Sequence, residues 1–414
     1  MNEVIQEARD VALGILKPTK AELEHGLELH ADAVVVESYG FAPRTAPDAD
    51  AMTKAFEAGA SETELRDLAE FGRMTRIVTE ADETPEFKEA FDASGVTCIL
   101  QNAGQEGQGI TRLIRRMAHY TYVTDMLRDF VFKAVTPDDI ERAKAEGKHC
   151  LYLTCNGVPL TELWESAEEG LRYVRVFFEL GCRMMHLTYN RRNMIGDGCA
   201  EEANGGLSEF GRTAIAEMNR VGIIVDVAHS GWQTSREAAE VSTSPVVASH
   251  SACSALSDHM RCKPDDVIRA ICDSGGFIGI CCVPAFLQGT GDIRAMLDHI
   301  DHVAKKFGPD RLAIGTDVAY ESRLANRHWE RMPKRRRHRA PWEMLWPPGD
   351  PLHSPKWRKP EMRKSMAWTN WPIFTVGMVQ RGYSDDDIRK ILGGNVLRVA
   401  REVLAASEMK PAAE

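Results

Sequence analysis

Two histidines, His229 and His250, close successive apolar runs, "GIIVDVAH" and "PVVASH", twenty-one positions apart. Asp317 follows a third such run, "RLAIGTD". Two imidazoles and a carboxylate on one face are the donor types of a divalent-metal site. Neutral nitrogens and an oxygen anion hold zinc, or a divalent iron or manganese, and leave a position open for water. The same groups also serve without metal, as an acid, a base and an orienting carboxylate. Either chemistry requires the three runs to end side by side.

The elements that meet this requirement are legible in the pattern. Short apolar, β-branched runs occur at 33–37, 97–101, 150–155, 183–188, 222–227, 245–249, 277–282 and 311–316. Amphipathic segments with helix-start signals alternate with them, as in "SEFGRTAIAEMNRVG" and "RAMLDHIDHVAKKFG". Eight continuous apolar strands alternating with helices predict an α/β protein, a (β/α)₈ TIM barrel closed by a parallel sheet. A doubly wound open sheet is disfavoured, since no GxGxxG turn follows the first run. In such a barrel, chemistry sits at the C-terminal ends of the strands. The first polar or aromatic residues past the runs are Tyr39, Asn102, Asn156, Tyr189, His229, His250 and Asp317, while the seventh run ends apolar in "CCVPAF".

The chain reads as a single domain over residues 1–414, with two segments beyond a minimal barrel. Residues 42–95, after the first strand, carry helical patterns and are expected to form a cap. Residues 320–371, after the eighth, hold six of the eight tryptophans and the basic run "KRRRHR". Loops of this length are usually functional or disordered, and the tryptophans argue against disorder. Thirteen lysines or arginines lie between Arg323 and Lys364; a cationic rim at the barrel mouth or a subunit contact accounts for them. Residues 384–408 read as a helix capped by Ser384, a Gly-Gly break and a final helix.

Composition sets outer bounds. With 414 residues, 43% hydrophobic and 27% charged, and a net charge near −10, the chain is globular and lacks the basic footprint of a general nucleic-acid binder. No apolar run approaches the roughly 18–20 residues needed to span a bilayer, and "MNEVIQEARD" has no signal-peptide pattern. Ten scattered cysteines without zinc-site spacing read as reduced thiols in a cytoplasmic protein. Cys155 or Cys253 as a nucleophile is a minor option.

Several long motifs, in order, resemble the membrane (renal) dipeptidase family of metallopeptidases. They are "GGLSEFGRTAIAEMNRVGIIVDVAHSG", "PVVASHSACSAL", "GGFIGI" and "RGYSDDDIRKILGGNVLRV". The resemblance runs from about residue 20 to 405 and implies an amidohydrolase-type barrel whose two zincs activate water to cleave a dipeptide. Matched motif by motif, it makes His229 and His250 zinc ligands and Asp317 a metal-touching group that serves proton transfer. Arg261, in "SDHMRCKPDD", becomes the grip on the substrate's terminal carboxylate, a task suited to a guanidinium fork.

Four of the family's positions are altered, three of them metal ligands. Its first strand ends in a His-x-Asp ligand pair, where "ESYGF" offers Tyr39 and Phe41. The "HAD" at His30–Asp32 precedes its strand and belongs at the barrel's bottom, so His30 reads as an ordinary helix or loop residue. The bridging glutamate becomes Asn156, which lacks the charge to hold two cations together. The family's substrate-polarising histidine becomes Tyr189. The expectation is therefore a dipeptidase-like hydrolase acting on a small carboxylate-bearing substrate through at most one metal, zinc first, on His229, His250 and Asp317. Tyr39 and Tyr189 would share proton transfer or oxyanion binding, and Asn156 and Tyr189 would contact substrate. Two further readings stay open: a metal-independent lyase, isomerase or hydrolase using the same histidines, and a non-catalytic binding protein. No nucleic-acid or membrane partner is expected. Family members often pair, and aromatic surface on 320–371 offers a homodimer contact.

Overall fold

The computed structural model describes residues 1–104, 109–160, 166–333 and 344–410. Eight parallel strands form a nearly closed barrel: β1 (Val36–Gly40), β2 (Cys98–Asn102), β4 (His149–Cys155), β5 (Cys182–His186), β6 (Ile224–Asp226), β7 (Val246–Cys253), β9 (Ile278–Ile280) and β10 (Leu312–Ile314), paired in that order. Two short strands lie off this path. β3 (Val131–Lys133) pairs with β4, and β8 (Cys262–Lys263) pairs with β7. The last strand returns to the first where the Asp317 N–H donates to Tyr39 O at 3.3 Å.

All eight apolar runs therefore become barrel strands. The largest displacement is at the first, expected at 33–37 and observed at Val36–Gly40. Helix α1 (Glu3–Leu16) precedes α2 (Lys20–Asp32), whose cap is Ala33, so the strand starts later than its hydrophobicity does. It continues through Glu37, Ser38 and Tyr39, all buried. The polarity of Ser38 and Tyr39 hid the end of the strand, because in a barrel this tight polar side chains line the interior.

Strand alternation builds that interior in layers. Val36, Tyr152, Met184, Ile224 and Val247 belong to one buried cluster. Two residues further along their strands stand Ser38, Thr154, His186, Asp226 and Ser249, also buried. Room is scarce: a Cβ at Gly279 or Gly315 would collide with the Ser249 carbonyl oxygen. An apolar floor thus carries a polar layer directly beneath the strand ends.

Between β1 and β2 lie α3 (Ala49–Glu57), α4 (Glu62–Thr79) and α5 (Glu83–Ser94). Capping by Asp48, and a Ser61/Glu64 capping box, fix the starts of the first two. After β10, helices span Arg323–Arg331 and Pro360–Ser365. Trp346, Trp357, Trp368 and Trp371 are buried while Trp329 is exposed, so among the described residues the expected aromatic surface of 320–371 reduces to Trp329. The run "KRRRHR" and Trp342 lie outside the described residues. At the C-terminus, Ser384 caps Asp385–Arg389 as expected. The Gly-Gly pair does not break the helix: Lys390–Gly394 widens into a π turn that runs straight into Asn395–Ala406. A Cβ at Gly393 would strike the Val34 carbonyl, so this glycine serves close approach to the barrel rather than termination.

Candidate active site

His229 follows β6 and His250 lies within β7. Asp226 locks the two strand ends together. Its Oδ1 accepts from the backbone N–H groups of Ala228 (2.9 Å) and Ser249 (3.1 Å), and its Oδ2 accepts from the Ser249 hydroxyl. That hydroxyl has spent its proton, so it accepts from His250 Nδ1–H at 2.8 Å. Asn190 Oδ1 accepts from His229 Nδ1–H at 2.7 Å. Each ring therefore carries its proton on Nδ1 and presents a bare Nε2. The two Nε2 atoms face each other at 3.0 Å.

Burial, then the charge of Arg261, pushes both histidines well below their ordinary pKa, so both rings are neutral at pH 7. Two lone pairs facing each other in a dry interior repel unless something positive sits with them; the Arg261 guanidinium approaches the His229 atom, at 3.4 Å. Two zinc–nitrogen bonds of about 2.0–2.1 Å at a tetrahedral angle would place their nitrogens about 3.3 Å apart, close to the observed spacing. The donor set fits one divalent cation.

A third histidine joins them. Ligand atoms of His186, His229 and His250 all lie within 4.8 Å of one another, and all three rings are buried. His186 Nδ1–H donates to Cys155 O at 3.1 Å, and its Nε2 lies 2.9 Å from Asp226 Oδ2 but out of line for a hydrogen bond. Burial alone would raise the Asp226 carboxyl; the neighbouring His186 ring and the bonds from Ser249 outweigh it and hold the pKa low. Stranding a lone carboxylate here would cost several kcal/mol, which is why its oxygens are so heavily bonded. Asp317, expected as the third ligand, lies outside this group. It lines the cavity in front of it with a left-handed backbone, φ 58°.

Tyrosines cover both rings. Tyr39 stacks on His250 with centroids 3.8 Å apart, and Tyr189 stacks on His229 at 3.9 Å. Tyr39, Asn156, Tyr189, His229 and Asp317, five of the residues singled out by sequence, line one cavity of about 230 Å³. The Tyr39 hydroxyl donates to Asn156 Oδ1 at 2.7 Å, and the Arg44 guanidinium stacks on Phe41 at 4.0 Å.

Arg261 lies beside the histidines but off the cavity lining. Its guanidinium is fully buried, donating to Ala228 O and, at 3.0 Å, to His250 O, with Nη2 3.4 Å from His229 Nε2. It is not among the residues lining the cavity; its donors are directed at backbone carbonyls and at His229. Cys155 and Cys253 are buried, and burial drives both thiols well above their usual pKa, which removes them as nucleophiles. His30 sits in α2, bonded at 2.8 Å to both Thr375 Oγ1 and Ser94 O.

Sequence reasoning missed His186, Asp226, Ser249 and Asn190. Alternation held the signal for the first three: His186, Asp226 and Ser249 each lie two residues beyond an inward apolar residue, Met184, Ile224 and Val247. Asn190, on a loop, had none.

Known proteins resemble the chain in sequence and in fold. The family described as membrane dipeptidase (peptidase family M19) matches residues 61–326. The chain is 29% identical over 293 residues to dipeptidase tcpJ of Claviceps purpurea, covering 69% of this chain and 59% of that protein. It is 28% identical over 250 residues to dipeptidase verJ of Clonostachys rogersoniana, with 58% and 54% covered. The chain thus spans little more than half the length of these relatives. Among solved structures, an amidohydrolase from Pseudomonas aeruginosa superposes with a TM-score of 0.66 at 27% identity, covering 91% of this chain and 98% of the other. A metallo peptidase from Rhodobacter sphaeroides shares the fold, with a TM-score of 0.62 at 16% identity over 90% of this chain and all of that one.

Proposed function

Because the chain belongs to the membrane dipeptidase family, peptidase family M19, we propose that it is a dipeptidase-like hydrolase that cleaves an amide or related bond of a small carboxylate-bearing substrate, with one divalent metal, zinc first. The observation that carries this reading is the pair of bare Nε2 atoms 3.0 Å apart, each ring held in its metal-binding tautomer from behind. His229 and His250 would hold the ion, with His186 the third ring within reach. When bound, such an ion lowers the pKa of water and polarises a carbonyl.

The remaining chemistry belongs to the chain. Asp317, outside the histidine group but in the same cavity, would accept a proton as the nucleophile forms and return it to the leaving amine. This separation relieves it of serving as tight ligand and base at once. The Tyr39 and Tyr189 hydroxyls are donors for charge developing on the substrate oxygen. Their rings keep water from the imidazoles, and Asn156 orients the Tyr39 hydroxyl.

Elemental analysis after metal-supplemented expression tests the reading, with about one equivalent expected. Less than about 0.2 equivalents together with turnover of a dipeptide or N-acyl amino acid would establish the metal-independent alternative. No turnover across both substrate panels, in a metal-loaded sample, would leave only a binding protein.

A further inference from the structure

Resting on the assignment of the cavity in front of His229 as the active site, we propose that Arg44 is its carboxylate-recognition residue, a substrate anchor carried by the segment after β1 in place of the buried Arg261. The Arg44 guanidinium lines the cavity together with Tyr39, Asn156 and Asp317. It stacks on Phe41 at 4.0 Å and has no hydrogen-bond acceptor among the described residues. Every other guanidinium lining the space is engaged. Arg116 bonds Ala103 O at 2.6 Å and Glu70 at 3.0 Å, and Glu70 is shared with Arg112. Arg73 has Glu321 at 3.7 Å.

The surroundings ask for an anion. Burial, and then the repulsion of Arg73, lowers the Arg44 pKa to about 10. The Glu321 carboxylate lies within ion-pair distance of Arg73, at 3.7 Å, and attracts Arg44 only through space. A ligand carboxylate entering the cavity would meet an uncommitted planar fork whose far face is already held by an aromatic ring, the arrangement in which guanidinium binds a carboxylate bidentately with little loss of freedom.

The position is informative too. Phe41 and Tyr39 occupy the places of the lost ligand pair, and they form a continuous stack: Arg44 on Phe41, Phe41 edge-on to Tyr39 at 5.7 Å, Tyr39 on His250 at 3.8 Å. A fixed side-chain cation thus stands on the side of the cavity that lacks the ligand pair. Met74, Ile77 and Phe87 from α4 and α5 line the same space, so the substrate class is an acylated or dipeptidic amino acid with an apolar side chain and a free carboxylate.

The test compares N-acetyl-L-leucine with N-acetyl-L-leucinamide, which differ in that charge alone, by calorimetric titration of the full chain at low ionic strength. The acid is expected to bind at least about tenfold tighter than the amide. Arg44→Gln should abolish the difference while leaving amide binding within about twofold, and Arg44→Lys should restore part of it. Circular dichroism verifies that each variant is folded. An acid that binds no tighter than the amide to the wild-type chain, or a preference that survives in Arg44→Gln, overturns the proposal. Binding is read without turnover and on metal-stripped protein as well, so a failed metal assignment leaves this result standing on its own.

Discussion

The hydroxyl of Tyr39 donates to Asn156 Oδ1 at 2.7 Å, joining the end of β1 to the end of β4. These are the strands whose ends would have to present charged ligands to a second metal. A neutral hydrogen bond instead closes the gap between them, and the Tyr39 ring is free to lie flat on His250.

Reversing that exchange is the most direct test of strand alignment. The combined variant Tyr39→His, Phe41→Asp and Asn156→Glu restores an imidazole and two carboxylates at the strand ends. Metal content measured by elemental analysis should rise from about one to about two equivalents. An unchanged content would mean that the ligand positions are misplaced.

Asp226 acts through its neighbours rather than on substrate. Asp226→Asn keeps the shape but removes the charge that fixes Ser249 and, through it, the His250 tautomer. Metal affinity, measured by competition with a chelator, should fall about 10–100-fold. His229→Gln and His250→Gln should abolish binding altogether. An Asp226→Asn protein with wild-type affinity would remove the relay from the site's architecture.

His30 gives the fold a dependence on acid that is separate from catalysis. Burial lowers its pKa to about 4, and the neutral ring is satisfied by Thr375 and Ser94. The unfolded chain binds this proton near pH 6.5 while the folded chain refuses it until about pH 4. Its contribution is therefore complete above pH 6.5 and is lost as pH falls toward 4. Urea denaturation at pH 7 and 4.5 should show a loss about 2 kcal/mol smaller in His30→Gln than in the wild type. Equal losses in the two proteins would refute the assignment.

The barrel was legible because eight apolar runs had one explanation, and His229, His250 and Asp317 because they stood just past those runs. What stayed hidden was the strand interior. Ser38 and Tyr39 look like a loop until the barrel buries them, and His186 looks like the tail of an apolar strand until its partner Asp226 is placed beside it. Arg261 illustrates the opposite difficulty. Its motif marks the place, but only packing shows that Ala228 O and His250 O claim its donors. Arg44 carries no motif at all, and its meaning depends on the absence of a neighbouring acceptor, which a linear sequence does not display.

The lattice of bonds around Asp226 has a consequence for how this scaffold changes over time. It ties three consecutive strands, β5, β6 and β7, into one block, with His186, Ser249 and two backbone amides all fastened to a single carboxylate. Of the altered positions, Tyr39, Phe41 and Asn156 lie at the ends of β1 and β4, outside this block, while Tyr189 lies just past β5 with its ring on His229. Substitutions at the ends of β1 and β4 can therefore rewire the mouth of the barrel without unseating the imidazoles.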